Sequence, residues 1–231
     1  MAKQQAGKLI VIEGVDGSGK QTQSQRLYGR LAAQGKRVLR VAYPRYDEDS
    51  SAMVRHYLAG DFGEDPDAVS PYVAATFFAA DRYASYRQEI GPFLAGGGLV
   101  IADRYTTANM LHQAGKIADA AARQAFLDWL EDYEFRLLGL PRPDAVIYLD
   151  MPPEASGTLM AGRANKMTGK AAKDIHESHP AYLERAYRAG RALVARYGWT
   201  RIDCLKDGVL QSVDAIGGAV EAALRDQGIL A

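Results

Sequence analysis

Five short apolar runs, at residues 9–12, 38–42, 99–102, 145–149 and 200–205, set the frame of this chain. Each is too short for a helix and rich in β-branched residues, as strands buried on both faces are. Longer segments of helical period separate them, at about 19–34, 50–59, 70–91, 106–115, 119–138, 152–163, 178–197 and 209–227. Gly35, Gly139 and Gly198 fall where helices of that spacing need C-caps. Strands alternating with helices predict an α/β fold: a five-stranded parallel sheet with helices on both faces, in three layers. The 231 residues, 48% hydrophobic, carry no linker or repeat, so residues 1–231 are expected to form a single domain. Sheets of this kind bind ligands at the C-terminal ends of their strands. The runs here lead into Glu13-Gly14, Tyr43-Pro44-Arg45, Asp103-Arg104 and Asp150.

The first run continues as Glu13-Gly14-Val15-Asp16-Gly17-Ser18-Gly19-Lys20-Gln21-Thr22. Strand, glycine-rich turn and helix in that order form the context of a phosphate-binding P-loop. Glycines let consecutive backbone N–H groups face one anion, and the helix N-terminus adds its positive end. Lys20 reaches the outer phosphates as a point charge. Gly14, Gly17, Ser18, Gly19, Lys20, Gln21 and Thr22 are therefore the candidate nucleotide-phosphate-binding residues. Gln21 departs from the pattern, which places a metal-binding Ser or Thr directly after the lysine.

Lys plus Arg and Asp plus Glu number 28 each, so bulk charge argues for neither a nucleic-acid nor a membrane partner. An anionic substrate must then be held by locally placed cations. The single cysteine, Cys204, excludes an intrachain disulfide and is expected to be a small core residue in a strand. No apolar run has the length of a signal peptide or a membrane span, and a cytoplasmic protein is expected.

Three further features build a second anion site. Asp103-Arg104-Tyr105 ends the third run: an acid there can hold Mg²⁺ and an arginine can fork onto phosphate, although a helix-capping Asp beside an exposed Arg has the same sequence. Tyr43-Pro44-Arg45-Tyr46 ends the second run, where Arg45 is either a ligand contact or a solvated turn residue. In Phe77-Phe78-Ala79-Ala80-Asp81-Arg82, Phe78 and Arg82 share a helix face four residues apart, which suits stacking and hydrogen bonding to a nucleobase. Phe77 reads as core. Residues 161–178, with Arg163, Lys166, Lys170 and Lys173 among small residues, read as a basic lid, and equally as a solvated loop.

With these pieces in this order, the chain resembles the thymidylate kinases (dTMP kinases) of the P-loop nucleoside monophosphate kinases. The resemblance spans nearly the whole chain, and Asp-Arg-Tyr-x-x-x-Asn with Phe-x-x-x-Arg is its most specific part. It implies transfer of the ATP γ-phosphoryl group to dTMP with Mg²⁺, giving dTDP, in a homodimer. By position it implies that Lys20 and the loop cradle ATP, and that Asp16 meets the sugar 3′-hydroxyl or the magnesium shell. Arg45 corresponds to the grip on the dTMP phosphate, Phe78 to the ring stacked on thymine, and Arg82 to the contact with a thymine carbonyl. Arg104 corresponds to the bridge between donor and acceptor phosphates, with Asp103 near Mg²⁺. Asn109, His112 and Gln113 fall where the family contacts base or sugar. Arg163 and the lid lysines would cover the ATP phosphates, and Lys20, Arg104, Asp103 and Arg163 form the candidate catalytic set.

Phosphoryl transfer between two anions needs positioning and charge neutralisation and no strong general base, and no Ser/His/Asp arrangement is evident. Two rivals remain: a kinase of the same fold for another pyrimidine nucleotide or deoxynucleoside, and a nucleotide-binding regulator with weak catalysis. A GTPase switch lacks its guanine-specifying Asn-Lys-x-Asp run.

Overall fold

The computed structural model describes residues 7–160, 175, 176 and 179–230. Arg163, Lys166, Lys170, Lys173 and the rest of the expected lid apart from Ile175 and His176 lie outside these residues. The elements run β1 (Lys8–Glu13), α1 (Lys20–Ala33), β2 (Val38–Ala42), α2 (Ala52–Ala59), α3 (Pro71–Ser85), α4 (Gly91–Ala95), β3 (Leu99–Asp103) and α5 (Thr106–His112). They continue as α6 (Ala120–Glu131), β4 (Ala145–Asp150), α7 (Pro153–Met160), α8 (Pro180–Tyr197), β5 (Thr200–Asp203), β6 (Leu205–Lys206), β7 (Val209–Leu210) and α9 (Val213–Asp226).

The five apolar runs become one parallel sheet in the order β2-β3-β1-β4-β5. β1, which feeds the glycine loop, is its central strand, so that loop lies in the middle of the sheet's C-terminal edge. Alternation along β1 divides its side chains between two faces. Ile10 and Ile12 pack with Leu27 and Leu31 of α1 and Ile216, Val220 and Leu224 of α9. Leu9 and Val11 pack on the other face with Ile90 and Leu140. A third cluster joins α5, α6 and α8 through Met110, Leu111, Phe126, Leu130 and Leu193. Ser70, Asp119 and Ser212 cap α3, α6 and α9 by accepting from backbone amides in the first turn.

Three local expectations change. The segment 70–91 widens into a π-helical turn at Tyr86–Ile90 before α4, whose first turn holds Pro92, a residue with no amide hydrogen for the regular ladder. Residues 209–212 are not helical: β6 and β7 form a hairpin turned by Asp207 and Gly208 at φ 51° and 78°, the double left-handed geometry that Asp-Gly favours. Cys204 is core, as expected, but lies between β5 and β6, where its amide donates to the Asp150 carbonyl at 3.0 Å.

Candidate active site at the strand ends

The loop after β1 is shaped by Gly14, Gly17 and Gly19 at φ 151°, 78° and 88°. A Cβ on Gly14 would stand 2.6 Å from Ser18 Oγ and 2.8 Å from the Leu149 carbonyl, so no side chain fits there. Lys20 is buried in the loop and its Nζ donates to the Val15 carbonyl at 2.7 Å. Burial, and then the Arg104 charge, lower its pKa to about 7 against the pull of Asp16, Asp103 and Glu13. Ser18 Oγ is buried without a partner, while Gln21 and Thr22 are exposed on the first turn of α1.

Arg104 is the hub of the site. Its backbone sits at φ 68°, an uncommon conformation for a side-chain-bearing residue that clusters at functional sites. Its amide donates to the Ile12 carbonyl at 3.1 Å, which holds this strand end against β1. Nη2 donates to Asp16 Oδ1 at 2.6 Å, Nη1 donates to His112 Nε2 at 2.9 Å, and Glu13 Oε1 lies 3.6 Å from Nη1. Burial alone would raise the Asp16 carboxyl, but Arg104 and Lys20 outweigh it and hold Asp16 well below the usual carboxylate range. Glu13 goes the other way: complete burial raises it despite the same two cations. Glu13 also accepts from the Gly14 amide at 3.0 Å and from Thr107 Oγ1 at 2.6 Å, tying the glycine loop to α5. Asp103 is buried at the tip of β3, with Arg40 Nη2 at 3.7 Å from Oδ2.

A second cluster lies along α3 and α5. The Arg45 amide and Nε donate to the two carboxylate oxygens of Asp81 at 2.9 and 3.0 Å. Arg82 is fully buried, and its Nε and Nη2 donate to Glu134 at 2.7 and 2.5 Å. Glu134 also accepts from Thr106 Oγ1 at 2.7 Å and from Asn109 Nδ2 at 3.0 Å. Phe78 and Phe77 are both half-buried against Tyr57, with Phe78 edge-on at 6.1 Å. Gln113 is buried and neither of its amide atoms has a partner.

One cluster thus sets a glycine loop, a lysine and an arginine together, as an anion site needs, and the other offers an aromatic ring, an arginine and an amide. The sequence matches the family described as Thymidylate kinase over residues 12–197. The chain belongs to the thymidylate kinase family. It is 38% identical to the thymidylate kinase of Mycobacterium tuberculosis (strain H37Rv) over 192 residues, 83% of this chain and 87% of that protein. It is 32% identical to the thymidylate kinase of Dinoroseobacter shibae over 83% of this chain and 84% of that protein. The fold is shared with the solved structure of thymidylate kinase from Candida albicans, at a TM-score of 0.72 and 20% identity, covering 97% of this chain and 93% of that one. As a member of its family, this thymidylate kinase carries out ATP-dependent phosphorylation of dTMP to dTDP.

Several residues read as free ligand contacts are already engaged. Arg82 gives two of its three nitrogens, Nε and Nη2, to Glu134. Arg45 is held by Asp81, and Asp16 by Arg104. Sequence reasoning missed Glu13, Asp81 and Glu134, the carboxylates that aim these cations. Glu134 carried a signal: it follows Leu127 and Leu130 at helical spacing on a buried face, where a carboxylate needs a cation.

The exposure of Gln21 leads to a prediction. Gln21→Thr is expected to change kcat less than about tenfold, since the loop and its lysine are already formed without a hydroxyl there. A gain of orders of magnitude in steady-state assays would contradict this.

Proposed function

We propose that this thymidylate kinase works by fixing two anions across Arg104, with the glycine loop and Lys20 on the donor side and α3 and α5 on the acceptor side. The observation that carries this reading is the Arg104 guanidinium, which joins Asp16 beside the loop to His112 on α5. Two polyphosphate anions repel, so transfer needs cations between them. In this reading Gly14, Gly17, Ser18, Gly19, Lys20, Gln21 and Thr22 bind the ATP phosphates, Arg45 meets the acceptor phosphate, and Asp16 lies beside the sugar with His112 and Gln113. Arg163 adds lid charge. The donor set fits Mg²⁺. Asp103 offers a hard carboxylate at a strand tip, and among the described residues no group of three or more His, Cys, Asp or Glu forms a cage. Mg²⁺ commonly takes one or two carboxylates and leaves its other positions to water and phosphates. Asp103 would hold the ion, which when bound neutralises charge on the phosphates. Asp16, committed to Arg104, serves the acceptor. Among the described residues no helix is long and apolar enough to cross a membrane. The whole chain is read as one cytoplasmic domain. It pairs as a homodimer through a face that includes the exposed Tyr72, Val73 and Tyr83 of α3.

The thymine assignment rests on hydrogen-bond polarity. Asn109 Nδ2 faces two groups that can only accept, the Ala75 carbonyl at 3.1 Å and Glu134. Its Oδ1 is therefore the atom left for a base, and it is an acceptor. Arg82 shares Glu134 with Asn109, and its remaining nitrogen, Nη1, is a donor. An acceptor and a donor match N3–H and the C4 carbonyl of thymine, whereas cytosine presents the reverse. We expect kcat/KM for dCMP to be lower than for dTMP by about 10³ or more. A ratio within tenfold in the same coupled assay would remove Asn109 and Arg82 from base recognition.

A further inference from the structure

Beside Arg104 lies a bracket of aromatic and titratable side chains that phosphate binding and base recognition do not use. Lys116 Nζ donates to Tyr57 Oη at 2.9 Å and also to the Pro66 carbonyl. Tyr57 Oη lies 2.9 Å from His176 Nε2, closer than the 3.4 Å to the Pro66 carbonyl. The His176 ring is stacked on His112, 5.7 Å between centroids and 9° from parallel, and on Tyr182 at 4.4 Å. His112 in turn accepts from Arg104. Both histidines are buried. The members come from α2, the turn Ala114–Lys116, α5, residues 175–176 and α8, which share no stretch of chain.

The polarity of this bracket is determined from both ends. Arginine has no acceptor, so His112 Nε2 must be unprotonated and its proton sits on Nδ1, a buried atom with no partner. At the far end Lys116 occupies the Tyr57 oxygen as donor, which leaves the Tyr57 hydrogen for His176 Nε2. His176 then carries its proton on Nδ1, 3.4 Å from Tyr182 Oη. Both imidazoles are neutral donors and acceptors of fixed sense. Their surroundings enforce this. His112 is pushed down to about 3 by burial and by Arg104, Lys20 and Lys116, against Asp16. His176 is lowered by burial and by His112, Lys116 and Arg104, again against Asp16. Besides these, the hydroxyls facing His176 are those of Tyr57 and Tyr182.

A charge on either imidazole would repel the guanidinium, and a protonated His112 could not accept from it. We propose that Lys116, Tyr57 and His176 are positioning residues for phosphoryl transfer, holding the His112 ring and through it the Arg104 guanidinium. The inference rests on Arg104 standing between the two phosphates. Tyr57 also packs edge-on against Phe78 at 6.1 Å, so the bracket spans from the base pocket to the transferring centre.

The test is steady-state kinetics of the full-length protein with ATP, Mg²⁺ and dTMP from pH 5.5 to 8, for Tyr57→Phe and His176→Phe, with thermal denaturation of each. Both substitutions keep a ring in place; the first removes one hydroxyl and the second the two ring nitrogens. The expected result is a kcat lowered about tenfold or more, with KM for ATP within about twofold. Burial, Arg104 and Lys116 remain in both variants and keep the surviving imidazoles neutral, so the loss should be even across this pH range. A kcat within twofold of wild type across the pH range for both variants would overturn the proposal. So would a rise in KM for ATP as large as the fall in kcat, or a loss that follows the fall in Tm. Absence of dTMP turnover in the wild type would instead overturn the reaction on which the inference rests.

Discussion

Replacing Arg104 with alanine is expected to lower kcat by about 10³ or more while the protein stays folded, in line with the effect of an arginine that stabilises a transferring phosphoryl group. The loss has two sources. The cation between the two phosphates goes, and Asp16, with Glu13 behind it, stays close to where a phosphate must sit. Arg104→Lys should recover only part of the rate, because an ammonium cannot reach Asp16, His112 and a phosphate oxygen together in one plane. Glu13 and Asp103 remain to hold the loop and the strand tip, so ATP binding should change less than kcat. Steady-state kinetics paired with calorimetric ATP titration separates the two. Turnover within tenfold of wild type would take Arg104 out of the transfer step.

Glu134→Leu is expected to destabilise the fold by about 3–5 kcal/mol, since it leaves a fully buried arginine charge without its carboxylate. In a chain of this size that corresponds to a Tm lower by roughly 10 °C. Glu134 also accepts from Thr106 and Asn109, so its removal should loosen the base pocket beyond the loss of one ion pair. Urea denaturation measures the first effect and dTMP titration the second. A stability loss below about 1 kcal/mol would mean that Arg82 finds another anion or water, and that the pair does not organise the pocket.

The central strands and the phosphate loop were legible because their signals are local. The runs 9–12 and 99–102 fall within β1 and β3, and the glycines of the loop take the positive φ that their spacing required. The hairpin was missed because the helical period read from 209 took in Val209 and Leu210, which the Asp207-Gly208 turn folds back onto β6. The aiming carboxylates were harder to read. Arg82 and Glu134 are 52 residues apart, and Asp16 and Arg104 are 88 apart. No periodicity links such pairs, although a lone acid on an apolar helix face announces that a partner exists. His176 illustrates the same limit: Asp174 and Glu177 flank it closely in sequence, yet Tyr57 and Tyr182 pack on it in the fold.

The most direct measurement is the fate of the γ-phosphoryl group of labelled ATP in the presence of Mg²⁺ and, in turn, dTMP, dUMP, UMP and thymidine. Label appearing in dTDP, with much less in the products of UMP and thymidine and little free phosphate, is the result expected from a site that neutralises two phosphates and reads thymine. Label released as inorganic phosphate irrespective of acceptor, or transferred as well to thymidine as to dTMP, would contradict the account.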